Sequence, residues 1–444
     1  MFIKHIDCMK TDINKFQNLF SQSLASILSK KHVLNQAIIM SGTIILGMAF
    51  GAAGSIWAAR CLGPHNLGIS GMVQNIVGLA MLPMEMIFPT VLVREYKNAH
   101  DSKTRDRIVQ ASHGFWLLIA FGFCLIATFF MAFKWVPSEY HFAGWFFLPL
   151  ILLNSMQPGW IFQSEEKQHF QSTIEVIQPA LAAVIYLVWF KPGMSAGDDL
   201  LVNSIAALVL TFVFWRAIYK LTTLKGPFFR FDLFRDIKDL ILNSRWLFVS
   251  ALAVYVYTTF EQPLLGWLYS VEELGKYRTA VSVTNAAQAF FTIIPAILYP
   301  RFIEWRKQSE EILWRRQLKL TTLFSSGGFV TALCGFIFIP FFYPYVFGHS
   351  FAQAAWPCAI LVLSKIIALL NGIFGWGLMT DHSYDKFVSI SMICTAIISL
   401  GMNLLFIPKF GMMGAAIINL LSEILILLLF FGLSFRRIQL IRNK

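Results

Sequence analysis

Four ionisable side chains of this 444-residue chain stand inside long apolar runs, where charge is costly. Lys365 lies near the middle of the run 354–379. Glu261 lies in 246–269 directly before Gln262-Pro263, Glu85 in 66–93 between Pro83 and Pro89, and Glu423 in 414–433. On insertion scales an ionised group at the centre of an apolar layer costs about 2.5–3.5 kcal/mol unless it is paired or meets water. A lone ammonium such as Lys365 can attract a phosphate, or it can pair with a buried carboxylate such as Glu423 or Glu261. Proline removes a backbone donor and kinks a helix, so the carbonyls freed near Glu261, and less strongly near Glu85, can join the acid in holding a proton or sodium ion. Either acid can instead serve as a packing salt bridge or gate contact, and Glu423 can simply hydrogen-bond a neighbouring helix.

Four arginines complete the set of candidate residues. Arg60 and Arg278 lie at the ends of apolar runs on one side, and Arg94 and Arg301 on the other. A guanidinium offers a planar fork of donors matched to phosphate oxygens. Anchoring to lipid headgroups accounts for the first pair equally well, and the general excess of basic residues on their side for the second. The six cysteines show no paired spacing, so neither a metal site nor a disulfide framework is expected, nor is any cofactor.

The elements that must position these residues are twelve apolar runs: 37–59, 66–93, 111–133, 143–163, 172–190, 199–219, 246–269, 279–300, 319–341, 354–379, 387–406 and 414–433. A hydrocarbon core of about 30 Å takes about 20 helical residues, a length most of these runs reach. The composition, 57% hydrophobic and 14% charged with a mean hydropathy of +0.63, describes an all-α polytopic membrane protein. Of the 36 Lys and Arg, only Arg60, Lys134, Lys191, Lys276, Arg278 and Lys409 fall on one side, and Lys365 lies within a run; all the others fall on the opposite side. That asymmetry places both termini in the cytoplasm. It also accounts for most of the net charge of +12, so nucleic acid is not an expected partner.

The chain divides into a cytoplasmic arm, 1–36, two six-helix groups, 37–219 and 246–433, a basic linker, 220–245, and a tail, 434–444. Within the arm, residues 11–31 place Phe16, Leu19, Phe20, Leu24, Ile27 and Leu28 at helical spacing among lysines, the pattern of a helix lying on the inner membrane surface. Faint self-similarity links the two groups. Leu67-Gly68 matches Leu274-Gly275 at an offset of 207, which also carries Arg94 onto Arg301; Gly159-Trp160 matches Gly375-Trp376 at 216. The offset rises along the chain, as small insertions in the second copy require. Trp160, Trp376, Tyr255 and Tyr257 can stack on sugars if they face a lumen, but lipid-facing packing is the more ordinary fate. Asn154, Gln157, Asn371 and Asn419 are expected mainly to join helices.

The run Ala58-Ala59-Arg60-Cys61-Leu62-Gly63-Pro64, with Leu67-Gly68 and Val93-Arg94-Glu95 beyond it, resembles the first hairpin of Wzx-type polysaccharide repeat-unit flippases. These belong to the multidrug/oligosaccharidyl-lipid/polysaccharide exporter superfamily. Residues 154–167, ending Gln-Ser-Glu-Glu-Lys, are similar to a second family pattern. Glu261-Gln262, Leu265-Gly266 and Glu273-Leu274-Gly275-Lys276-Tyr277 resemble a third, with Glu where Asp is common and without the Arg that often follows. The resemblance implies two pseudo-symmetric six-helix bundles around a central cavity, in a bacterial inner membrane. It implies, as cargo, an undecaprenyl-diphosphate-linked oligosaccharide for O-antigen, capsule or exopolysaccharide, flipped without covalent chemistry, and polysaccharide polymerase or assembly proteins as further partners. The alternatives are a cation-coupled multidrug antiporter of the same superfamily, marked by Lys365 neutralised beside several acids, a non-transporting scaffold and, distantly, a membrane glycan ligase or polymerase. The last is disfavoured because the outer gaps are mostly about six to a dozen residues.

The charge asymmetry makes a direct prediction. Alkaline phosphatase fused after Lys191 will be active and a fluorescent protein fused after Lys444 will fold in the cytoplasm. The reverse pattern would invert the threading.

Overall fold

The computed structural model describes residues 31–82, 92–93, 95–97, 99, 101–132, 138–157, 159–221, 249–291 and 293–442. Glu85, Arg94, nearly all of the segment 11–31 and most of the linker 220–245 lie outside the described residues. Among those described, every regular element is helical: α1 (Lys31–Leu82), α2 (Ser102–Ala132), α3 (Phe147–Ser155), α4 (Gly159–Ser164), α5 (Gln168–Glu175), α6 (Ile177–Trp189), α7 (Ala196–Leu221), α8 (Val249–Thr258), α9 (Glu261–Leu268), α10 (Val271–Phe291), α11 (Ile293–Gln308), α12 (Glu310–Phe347), α13 (Ala355–Leu378) and α14 (Asp385–Arg442).

Two of these are double. In α1 the backbone leaves helical geometry at Gly63 (φ 71°, ψ 172°), and in α14 at Gly411 (φ 54°, ψ −137°). Positive φ is readily adopted by glycine alone, and Pro64 then supplies a residue suited to a helix start. The Cys61 carbonyl accepts from Gly193 N–H at 3.0 Å and Asn66 Nδ2 donates to the Met194 carbonyl at 3.2 Å, so both sides of Gly63 meet the same turn. Before it, Gly47, Gly51 and Gly54 pack in order along Val176, Pro179 and Ala183, which sets the first half of α1 parallel to α6. Gly193 and Gly348, the other positive-φ glycines among the described residues, lie in turns at this same end of the molecule. Breaks elsewhere also follow the sequence. The kink expected at Pro263 is a full restart: α8 stops at Thr258 and α9 begins at Glu261, placing Pro263 in a first turn whose N–H groups have no helical partner anyway.

Among the described residues seven helical stretches, one of them α5 and α6 taken together, are long and apolar enough to cross a membrane. Their outward faces carry Phe121, Leu125, Phe329, Phe338, Phe341 and Leu405, all exposed. Such a surface suits lipid, and helices, which satisfy their backbone bonds internally, suit it too. Trp189, Trp267, Tyr269, Tyr345 and Trp356 are exposed near the turn end, the level at which amphipathic rings meet headgroups. The chain is an all-α polytopic membrane protein.

The helices up to Leu221 enclose one core, around Trp116, Ile151, Phe162 and Phe214, and those from Val249 enclose others, around Phe302 and Phe374. A shared core containing Ala59, Leu67, Tyr186, Leu265, Tyr277 and Phe351 joins them at the turn end. Its centre is a crossing of the second half of α1 with α10. A Cβ on Gly68 would stand 1.9 Å from the Val271 carbonyl oxygen, and one on Gly275 would stand 1.8 Å from that of Pro64. The contact is reciprocal, since 64 and 271, like 68 and 275, differ by 207.

At the opposite, basic end, Arg306, Glu310, Asp381 and Arg437 form one network. Arg306 Nη2 lies 2.6 Å from Asp381 Oδ2 and its Nε 3.2 Å from Glu310 Oε1; Arg437, 6% exposed, donates to Glu310 and, at 3.2 Å, to the Gly377 carbonyl. Burial alone would raise the Asp381 carboxyl, but Ser383, donating from both hydroxyl and N–H, and the two guanidiniums hold it below the usual carboxylate range. Its contribution is therefore complete above about pH 4 and lost as pH falls through the lowered folded value. The other group has a lighter counterpart: Tyr96 donates to Glu165 at 2.8 Å, and an offset of 216 carries Glu165 onto Asp381.

Two substitutions and a control test the crossing, and one tests the network. Gly275→Ala and Gly68→Ala will each lower the apparent melting temperature sharply, because the obstructing atoms are backbone. Gly78→Ala, with nothing within 4 Å, will be neutral or stabilising by up to about 1 kcal/mol. Glu310→Gln takes away the nearer of the two carboxylates at the buried Arg437, Asp381 remaining at 3.6 Å, and will cost about 1–3 kcal/mol, read by thermal denaturation in detergent.

Candidate functional site

Three residues past the crossing, Arg278 leaves α10 and lies over Gly71, whose missing side chain makes room: a Cβ there would meet Arg278 Cδ at 2.9 Å. The sequence suggested an outer-surface position for Arg278. The structure instead carries it, half-buried, to the wall of a cavity of about 290 Å³. Residues of α1, α6, α7 and α10 line this space, among them Ser55, Tyr186, Asp199, Asn203, Arg278 and Ser282, so both groups of helices contribute.

Arg278 Nη1 donates to the Leu67 carbonyl and to Ser70 Oγ, each at 3.3 Å, and Nη2 donates to Gln74 Oε1. Ser70 in turn donates to Asp199, as does Gln74 Nε2 at 3.4 Å, while the Tyr186 hydroxyl donates to the other Asp199 oxygen at 2.6 Å. Asn203 Nδ2 completes the ring by donating to the Tyr186 oxygen at 3.0 Å. A cation from one group of helices and an anion from the other are thus joined through two neutral side chains. Sequence reading missed Asp199, Ser70, Gln74 and Tyr186. The available signal was an acid on the first residue of the run 199–219, obscured by Asp198 beside it.

A second polar cluster lies inside the later helices. Glu261, 2% exposed, accepts from Tyr277 at 3.3 Å and from Asn419 Nδ2 at 3.2 Å through Oε1, while its Oε2 is buried with no partner. Asn419 accepts from Ser364 at 2.7 Å and Asn371 Nδ2 donates to Glu423 Oε2 at 2.5 Å. Lys365 is half-buried next to Ser364, and its charge acts on both Glu261 and Glu423. The structure therefore groups Glu261, Glu423 and Lys365. A buried carboxylate oxygen left without a donor is a position where a proton or small cation would complete the set.

The remaining candidates stand apart. Arg60, exposed at the turn end, donates through Nε to the Val346 carbonyl at 2.8 Å and through Nη2 to that of Tyr345, capping the last carbonyls of α12. It ties the first helix to the later group. Arg301 pairs with Glu304 at 3.3 Å on the surface. The aromatic residues correct the expectation of lipid-facing packing. Trp160, Tyr255 and Tyr257 are buried and Trp376 is half-buried against Phe302; none lines the cavity, and Tyr255 donates to the Asn75 carbonyl at 3.1 Å. Gln157, Asn371 and Asn419 do join helices, Gln157 by donating to Thr211 at 3.4 Å.

Comparison with known proteins locates this architecture. The lipid II flippase MurJ in an inward closed conformation superposes with a TM-score of 0.70 at 12% identity, over 89% of this chain and 87% of that one. A multidrug resistance MATE family transporter in an inward-facing conformation gives 0.63 at 14% identity, over 92% and 99%. In sequence, the chain is 22% identical over 380 residues to a putative O-antigen transporter of Escherichia coli (strain K12), covering 83% of this chain and 89% of that protein. It is 24% identical over 243 residues to a probable low-salt glycan biosynthesis flippase, Agl15, of Haloferax volcanii, covering 53% and 50%. The model of the polysaccharide biosynthesis protein family matches residues 33–305. The chain belongs to that family.

Proposed function

We propose that this protein moves an undecaprenyl-diphosphate-linked oligosaccharide from the inner to the outer leaflet of a bacterial cytoplasmic membrane, for surface polysaccharide assembly. The observation that carries this reading is the Arg278 guanidinium on the wall of a cavity shared by the two groups of helices. It supplies phosphate-matched donors where an alternating-access carrier needs them, while a polyprenyl tail stays in lipid. The relatives named for O-antigen transport and glycan flipping support the same cargo class. Contacts between the groups gather on residues 60–75, at the end that the charge asymmetry assigns to the outside, so the resting form is closed outward. Glu261 with Lys365 and Glu423 is the coupling element, binding or releasing a cation as the groups rock. Polymerase or assembly proteins receive the flipped unit.

One observation favours a second reading. The Lys365 charge acts on two buried acids, Glu261 and Glu423, which approaches the setting expected of a multidrug antiporter. Deletion and complementation separate the two. Loss of the protein will remove surface polysaccharide and build up lipid-linked units on the inner leaflet. Arg278→Gln will restore export at about a tenth of the wild-type level or less, as loss of a charge-assisted contact implies, and Lys365→Ala will impair it. Unchanged polysaccharide and lipid intermediates, with increased sensitivity to cationic drugs, would select the antiporter.

A further inference from the structure

In the ring around Arg278 every bridging group points the same way. Ser70 and Gln74 each accept from the guanidinium and each donate to Asp199, and Tyr186 donates to Asp199 as well. Asp199 is only 3% exposed, yet it belongs to the cavity wall. A buried carboxylate surrounded by hydroxyl and amide donors, with a guanidinium one side chain away, occupies the position of a bound anion. The donors it holds are those that a phosphate oxygen reaching Arg278 must use, because Ser70 and Gln74 touch both charges.

We propose that Asp199 is an internal competitor for the substrate's phosphate: it holds the Ser70, Gln74 and Tyr186 donors while the carrier is empty, and an arriving diphosphate takes them from it. The inference rests on the phosphate reading of Arg278. Three consequences follow from the geometry. The empty site carries a compensated charge pair, so Arg278 does not sit as a bare cation in a low-dielectric wall. A ligand displaces Asp199 only if it brings more negative charge and more acceptor oxygens than a carboxylate, so neutral sugars and singly charged anions are refused. Because Asp199, Ser70 and Gln74 belong to the first group of helices and Arg278 to the second, the exchange of anions also breaks and remakes a link between the groups. Asp199 is thus a positioning and selectivity residue, acting through Ser70 and Gln74.

The test is binding of undecaprenyl diphosphate, and separately of inorganic pyrophosphate, to the full chain in nanodiscs. Asp199→Asn keeps the shape and a carbonyl acceptor while removing the competing charge, and is expected to bind both probes about tenfold more tightly, as loss of one like charge at this range implies. Asp199→Ser is the second variant, with the same expected sign. A purely structural role for Asp199 would weaken binding, so the direction of the change decides, with the melting temperature of each variant confirming folding. Arg278→Gln is expected to abolish binding alone and in combination with Asp199→Asn. Unchanged or weaker binding by folded Asp199→Asn and Asp199→Ser, with Arg278→Gln still inactive, would overturn the competitor and leave the phosphate reading standing. Wild-type binding by Arg278→Gln would overturn both.

Discussion

The close approach of two backbones at Gly68 and Gly275 sets the terms for everything around it. Where surfaces without side chains meet, the helices pack main chain against main chain, at a separation no other residue permits. One turn further along each helix, the positions related by the same offset are Gly71 and Arg278. At a reciprocal crossing these two face each other, so both cannot be large. The earlier helix keeps glycine and the later one places a guanidinium in the space, beside the cavity. A crossing that is reciprocal in its backbone contacts thereby carries an asymmetric site, and Ser70, Gln74 and Asp199 of the earlier helices assemble around the charge of the later ones.

The amount of this that the sequence disclosed depended on the range of the contact. Apolar runs and glycine-proline breaks are local, and they disclosed the long apolar helices among the described residues and a break near Pro263. Lys365, Glu261 and Glu423 stood out because charge inside an apolar run is conspicuous, and in the fold the lysine's charge acts on both acids. Arg278 was visible, but its depth was not, because a residue's height in the membrane depends on the helix crossing as well as its distance from the end of a run. Asp199 was passed over as a terminal acid of its run, although Tyr186 and Ser70 bury it.

Arg437 shows a different limit. Counting basic residues by side explains it as part of an orientation signal, after which nothing calls for a partner. In the fold it is nearly as buried as the membrane carboxylates, held by Glu310 and the Gly377 carbonyl and resting 5.1 Å over the Tyr384 ring. A charge can therefore satisfy a statistical rule of topology and also serve as a packing element. Arg60 behaves similarly, since the carbonyls at the end of α12 take its Nε and Nη2 donors.

The reversals at Gly63 and Gly411 are single-residue turns, each joining two membrane helices without a loop. A loop of a dozen residues would act as slack, taking up relative movement of the helices it connects. Here there is no slack to take up. A tilt of the first half of α1 at the basic end must either turn about Gly63 or pull the second half, together with Ser70 and Gln74, along with it. Gly63 and Gly411 are therefore the points at which a relative tilt of the helices they join must be taken up.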